Sequence, residues 1–96
     1  MTLLEQTYTA LREAQLVENA EQFSTAYLGK SKNWYAVQRF AGRDFSVSCA
    51  IACLQRVRTL RATQPLLNPS QLAAAQEAEA DLMQHLQTKY AVAEVC

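Results

Sequence analysis

The stretch Phe23–Phe40, FSTAYLGKSKNWYAVQRF, constrains this chain more than any other part of it. One glycine, Gly29, divides it into two short segments of helical character. Glycine enters the left-handed backbone region without steric cost, so Gly29 predicts a helix end followed by a tight turn. Ser31 is of the residue type that caps helix N-termini, and it predicts a following helix over about residues 32–41. In the first segment Phe23, Ala26 and Tyr27 share a side at i, i+3 and i+4. In the second, Trp34, Tyr35, Val37, Phe40 and Ala41 are the expected apolar side. Lys32, Asn33, Ala36, Arg39 and Arg43 lie near the opposite side.

The rest of the chain reads as helices built around that unit. Leu3, Leu4, Thr7, Tyr8 and Leu11 fit one stripe of a helix over about residues 3–15. Asn19 and Gln22 have the form of a capping box, starting a helix that runs to about Leu28. Gly42 closes the third helix, and Asp44 or Ser46 starts a fourth over about 47–62. Its stripe is Val47, Ala50, Ile51, Leu54, Val57 and either Leu60 or Arg61, flanked by Cys49 and Cys53. Pro65 and Pro69 stop that helix, and Asn68-Pro69 starts a last one over about 70–90. Leu72, Ala75, Leu82, Leu86 and Tyr90 approximate its apolar stripe, which Glu79 interrupts.

These elements predict an all-α fold of four short helices containing a helix-turn-helix, plus a longer C-terminal helix. Only two glycines and two prolines are present, too few for the turns of a β-rich chain of this length. One domain is expected, with a core over 1–62, a linker over 63–69, and a helical segment over 70–96 that packs on the core or on a second subunit. Half the residues are hydrophobic and 19% are charged, which opposes global disorder.

Net charge is zero, yet it is unevenly spread. Residues 30–62 carry Lys30, Lys32, Arg39, Arg43, Arg56, Arg58 and Arg61 against Asp44 alone, while both flanking segments are acidic. Such a segment either meets a polyanion or pairs with the acidic helices of its own chain. Arg56, Arg58 and Arg61 illustrate the choice, as a phosphate-binding strip or as partners of Glu77, Glu79 and Asp81. Cys49 and Cys53, four apart on one helix, read as small buried thiols, and Cys96 as a thiol at the C-terminus. With His85 alone in the chain, the spacing of paired zinc ligands is missing, so neither metal nor cofactor is expected. No Ser/His/Asp or Cys/His set suggests an enzyme. The longest apolar runs are a few residues, which predicts no membrane span and a cytoplasmic location.

From Phe23 through Leu54 the chain resembles the phage-repressor (Cro-like) helix-turn-helix family. The residues that carry the resemblance are Phe23, Leu28-Gly29, Ser31, Gly42, Ser46-Val47, Ile51 and Leu54. FSTAYLGKSKNWYA is similar also to small bacterial proteins with a Phe-Ser…Leu-Gly-x-Ser-x-x-Tyr-Tyr core, a likeness that brings no function with it. Relative to the family pattern, one extra residue separates Phe23 from Gly29. Thr25 stands where a smaller residue is usual, and Gln38 where an apolar one packs.

The resemblance implies a small DNA-binding transcriptional regulator that inserts its helix at about 32–41 into the major groove. Lys32, Asn33 and Arg39 would contact bases, since arginine or lysine suits guanine and asparagine suits adenine. Lys30, Ser31 and Arg43 would contact phosphates. Double-stranded DNA would be the partner of a homodimer, with Leu72, Ala75, Leu82, Leu86 and Tyr90 at the dimer interface. The alternative is a protein-protein interaction module with a degenerate helix-turn-helix and no DNA binding; an acidic Glu18 or Glu21 across the basic face would favour it. Trp34 and Tyr35 are expected to pack rather than to stack on bases. Whichever reading holds, a central Leu54 makes Leu54→Ala cost about 2–5 kcal/mol in urea unfolding.

Overall fold

A computed structural model describes residues 2–63 and 67–89, and these are helical with no strand. Five helices are formed: α1 (Leu3–Glu13), α2 (Ala20–Gln22), α3 (Trp34–Phe40), α4 (Val47–Thr63) and α5 (Pro69–Lys89). Between α2 and α3 the chain continues through a π-helical turn, Phe23–Tyr27. The all-α class is as expected from the sequence.

Each helix start has a physical cause. The Thr2 side chain accepts from the Glu5 N–H at 3.2 Å and begins α1. Asn19 accepts from the Gln22 N–H at 2.9 Å, and the Gln22 side chain reaches back to the Glu18 N–H at 2.6 Å. Ser46 accepts from the Cys49 N–H at 3.3 Å and starts α4. Asn68 accepts from the Gln71 N–H at 2.7 Å, ahead of Pro69 in the first turn of α5. Asp44 takes a different role from the expected one. Its carboxylate accepts from Leu4 and Leu3 N–H groups at 2.9 and 3.3 Å, and so caps α1 across 40 residues of sequence. A negative charge there also suits the positive end of the helix dipole.

The packing runs α4 on α5, α1 on α5, and α4 on the π turn, while α3 rests on α2 and the π turn. Leu4, Leu11, Phe23, Leu54, Leu82 and Leu86 are fully buried in one core. On α4 the buried line is Cys49, Ala50, Cys53, Leu54, Val57 and Leu60, so the two thiols stand within the stripe rather than beside it, and Val47 is exposed.

The α5 stripe is used inside the chain. Ala75, Leu82 and Leu86 have no exposed surface, because α1 and α4 cover them. Of the residues expected at a dimer interface, Leu72 alone among the described ones reaches solvent, and Tyr90 lies outside the described residues. The acids of α5 are partly engaged as well. Glu79 pairs with Arg58 at 3.2 Å and with Arg61, while Arg56 lies over the Tyr27 ring at 5.4 Å. Such half-exposed pairs stabilise by only about 0–1 kcal/mol each.

Burial pushes the Cys53 thiol up to about 12 from its ordinary value of 9, and neighbouring Cys49 adds to the rise. The unfolded chain therefore loses that proton first, and stability falls as pH rises from about 9 toward 12. Below 9 this contribution is complete. We expect the urea midpoint to drop more steeply over that window in the wild-type chain than in Cys53→Ala.

Candidate nucleic-acid interface

The unit Phe23–Phe40 is held by one buried hydroxyl. Ser24 is fully buried on the π turn. It donates to the Ala20 carbonyl at 3.0 Å and accepts from the Tyr35 backbone N–H at 3.0 Å. That N–H belongs to the first turn of α3, where the helix supplies no partner of its own. Ser24 thus caps α3 from the preceding element. Ser31 does not do so with its side chain; only its carbonyl accepts, from the Trp34 N–H at 3.0 Å. The helix accordingly starts at Trp34, two residues later than expected.

Between Phe23 and Tyr27 the chain takes a π turn, whose bonds span one residue more than those of an α-helix. The bond that wraps its end shows the same increment. At the ends of α1 and α3 it joins residues five apart, Leu16 N–H to Leu11 at 2.9 Å and Arg43 N–H to Gln38 at 2.9 Å. After the π turn it joins residues six apart, Lys30 N–H to Ser24 at 2.9 Å. Gly29 supplies the left-handed turn there with φ +66°, and Gly42 does so after α3 with φ +69°.

An aromatic cluster fixes the inner side of α3. Tyr35 is buried, with its ring centroid 4.5 Å from Tyr8 of α1 and 5.5 Å from Phe23, edge-on. Trp34 and Gln38 are half-buried beside it. The expected packing role of the Trp34–Tyr35 pair therefore holds for Tyr35 and in part for Trp34. The rest of the expected apolar side does not pack. Val37 is 55% and Phe40 96% exposed, and Ala41 is exposed as well. The reason is that α3 has neighbours on one side only, so the single stripe through Tyr35 exhausts what can be covered.

Lys30, Ser31, Lys32 and Asn33 are exposed on the turn before α3. Arg39 is exposed in its last turn, and Arg43 beyond Gly42. The seven-residue helix is about 10 Å long, so it sets a basic turn at one end apart from two arginines at the other. Arg39 also lines a groove of about 380 Å³ with Tyr8, Ala20, Tyr35, Ala36 and Phe40. Burial raises the Tyr35 phenol above its ordinary value, and nearby Arg39 opposes that rise. Arg39 thus stands on the flank of α3 toward α1, with Ala36 and Phe40.

None of Lys30, Lys32, Arg39 and Arg43 is ion-paired among the described residues. Glu18 lines a separate hollow with Arg12, Gln15 and Val17, and Glu21 pairs with none of the four. No group of three or more acidic, histidine or cysteine side chains suited to a metal occurs among the described residues. No helix among them is long and apolar enough to cross a membrane.

Over residues 4–95 the chain matches the model of a family of unknown function, DUF6626. It belongs to that family. No curated protein and no solved structure matches the chain. The fold unit described for this DUF6626 member therefore rests on its own geometry.

Ser24 is not singled out by the sequence reading, and Asp44 is expected there only as a candidate start of α4, not as the cap of α1. Ser24 had a usable signal. It lies beside Phe23 and one turn before Tyr27, on the inner side of its helix, where most buried hydroxyls are hydrogen-bonded. Asp44 had none, because its partners are 40 residues away. Ser24→Ala would leave the Tyr35 N–H buried without a partner. We expect a loss of about 1–3 kcal/mol in urea unfolding.

Proposed function

We propose that this chain is a small cytoplasmic DNA-binding regulator that sets α3 in the major groove of a duplex. The observation that carries the reading is the sorting of its cations. Arg58 and Arg61 share the one carboxylate of Glu79, whereas Lys30, Lys32, Arg39 and Arg43 stay exposed and without an ion-pair partner among the described residues, around a helix that packs on one side only. A solvated face needs no such sorting, and a polyanion benefits from it. In this reading Lys32 and Asn33 meet base edges at the N-terminal end of α3. Lys30, Ser31 and Arg43 hold phosphates, and Arg39 serves the backbone from the flank. A helix of about 10 Å spans roughly three base pairs, so two copies acting on adjacent half-sites belong to the proposal.

A second reading is favoured by one observation, the exposure of Val37 and Phe40 on the same helix. Large exposed apolar side chains mark protein contacts as well.

Fluorescence anisotropy against a mixed-sequence duplex separates the two. Three cationic phosphate contacts per chain, from Lys30, Arg39 and Arg43, predict an affinity loss of about fortyfold between roughly 50 and 200 mM salt. Lys32→Ala with Arg39→Ala should weaken binding further and flatten that slope. Absence of binding at low salt and micromolar protein would leave the protein-contact reading in its place.

A further inference from the structure

The outward face of α3 is apolar where a base-reading helix is commonly polar. Asn33, Ala36, Val37 and Phe40 follow one another at i, i+3, i+4 and i+7, so they share a face, and all four are exposed. Only Asn33 among them can hydrogen-bond a base edge. The cations flank this line: Lys30 and Lys32 at the turn, Arg39 beside Ala36 and Phe40 in the groove toward α1, and Arg43 beyond Gly42. We infer that the chain reads duplex DNA mainly through thymine methyl groups, contacted by Val37 and Phe40 in the major groove. The inference rests on the DNA reading above and names what that reading recognises.

Three observations lead to this occupant. First, the unpaired Lys30, Lys32, Arg39 and Arg43 surround the apolar line and complement a polyanion, not an apolar partner surface. Second, the diameter of an α-helix with its side chains, about 10–12 Å, fits a major groove about 12 Å wide. Third, the thymine 5-methyl is the apolar group that the major groove displays, and aliphatic or phenylalanine side chains meet it by contact alone. Phe40 is 96% exposed and Val37 55%, so each has nearly free or ample surface to bury. Sequence preference would then arise without the bidentate arginine contacts that guanine attracts, and would favour A·T pairs, with Asn33 able to take an adenine.

The experiment uses the full chain and four duplex pools of equal length at one low salt concentration. One pool holds only A·T pairs in random order, and its counterpart has uracil in place of thymine. A third holds only G·C pairs, and its counterpart carries 5-methylcytosine, which puts a methyl at the equivalent major-groove position. Anisotropy should show a loss of about fourfold for each methyl contact removed with uracil, and a comparable gain with 5-methylcytosine. Val37→Ala with Phe40→Ala should abolish both differences and leave the salt slope unchanged. Since both side chains lie outside the core, the variant's thermal midpoint should match that of the wild type.

Duplex binding that ignores the methyl in both pairs of pools would overturn this inference and leave the DNA reading standing. Methyl-indifferent binding accompanied by loss of self-association in Phe40→Asp would assign the face to a contact between copies. No binding to any pool would remove the DNA reading and this inference together.

Discussion

The position of α3 depends on the Ser24 hydroxyl more than on any other contact. It closes two obligations at once, one to the carbonyl a turn behind it and one to the Tyr35 N–H of the next helix. A hydroxyl can donate and accept together, which an apolar side chain of similar size cannot. Because Ser24 is fully buried, water cannot replace either bond, and the angle between the two helices is set locally. The Tyr8, Phe23 and Tyr35 rings then pack around that hinge and tie it to α1.

The π turn carries the next set of contacts. Phe23, Ser24 and Tyr27 are all buried on it. Tyr27 then donates to the Leu16 carbonyl at 2.9 Å and anchors the turn to the end of α1. Asp44 completes the frame from the far side of α3 by holding the start of α1. Thus α3, though it packs on one side only, is bracketed before and after by contacts to α1.

What was legible in the sequence is what local chemistry controls. Asn19, Gly29, Gly42, Ser46 and Asn68-Pro69 each act on a neighbour within a few residues, and all five mark the boundaries they were read to mark. Ser31 shows the limit of that logic. A residue suited to capping stood in the right place, but Ser24 had already taken the N–H, and α3 began later. Periodicity failed at Phe40 and Val37 for a different reason. It tells which residues share a face, not whether a second element arrives to cover that face. The same blindness applies to α5, whose stripe was equally compatible with a partner subunit and with α1 and α4 of its own chain; the burial of Ala75, Leu82 and Leu86 decides for the latter.

Charge shows how structure divides what sequence lumps together. The basic excess of residues 30–62 reads as one property, but it separates into two sets with different fates. The α4 arginines face α5 or an aromatic ring, where Glu79 and Tyr27 engage them. The cations around α3 have no ion-pair partner among the described residues, although Arg39 borders Tyr8 and Tyr35 in its groove; α3 sits on α2 and the π turn, whose one acidic side chain, Glu21, pairs with none of them. Leaving cations unpaired at both ends of α3 carries a repulsive cost, and exposing Phe40 adds an unfavourable hydration term. Neither cost helps the isolated fold.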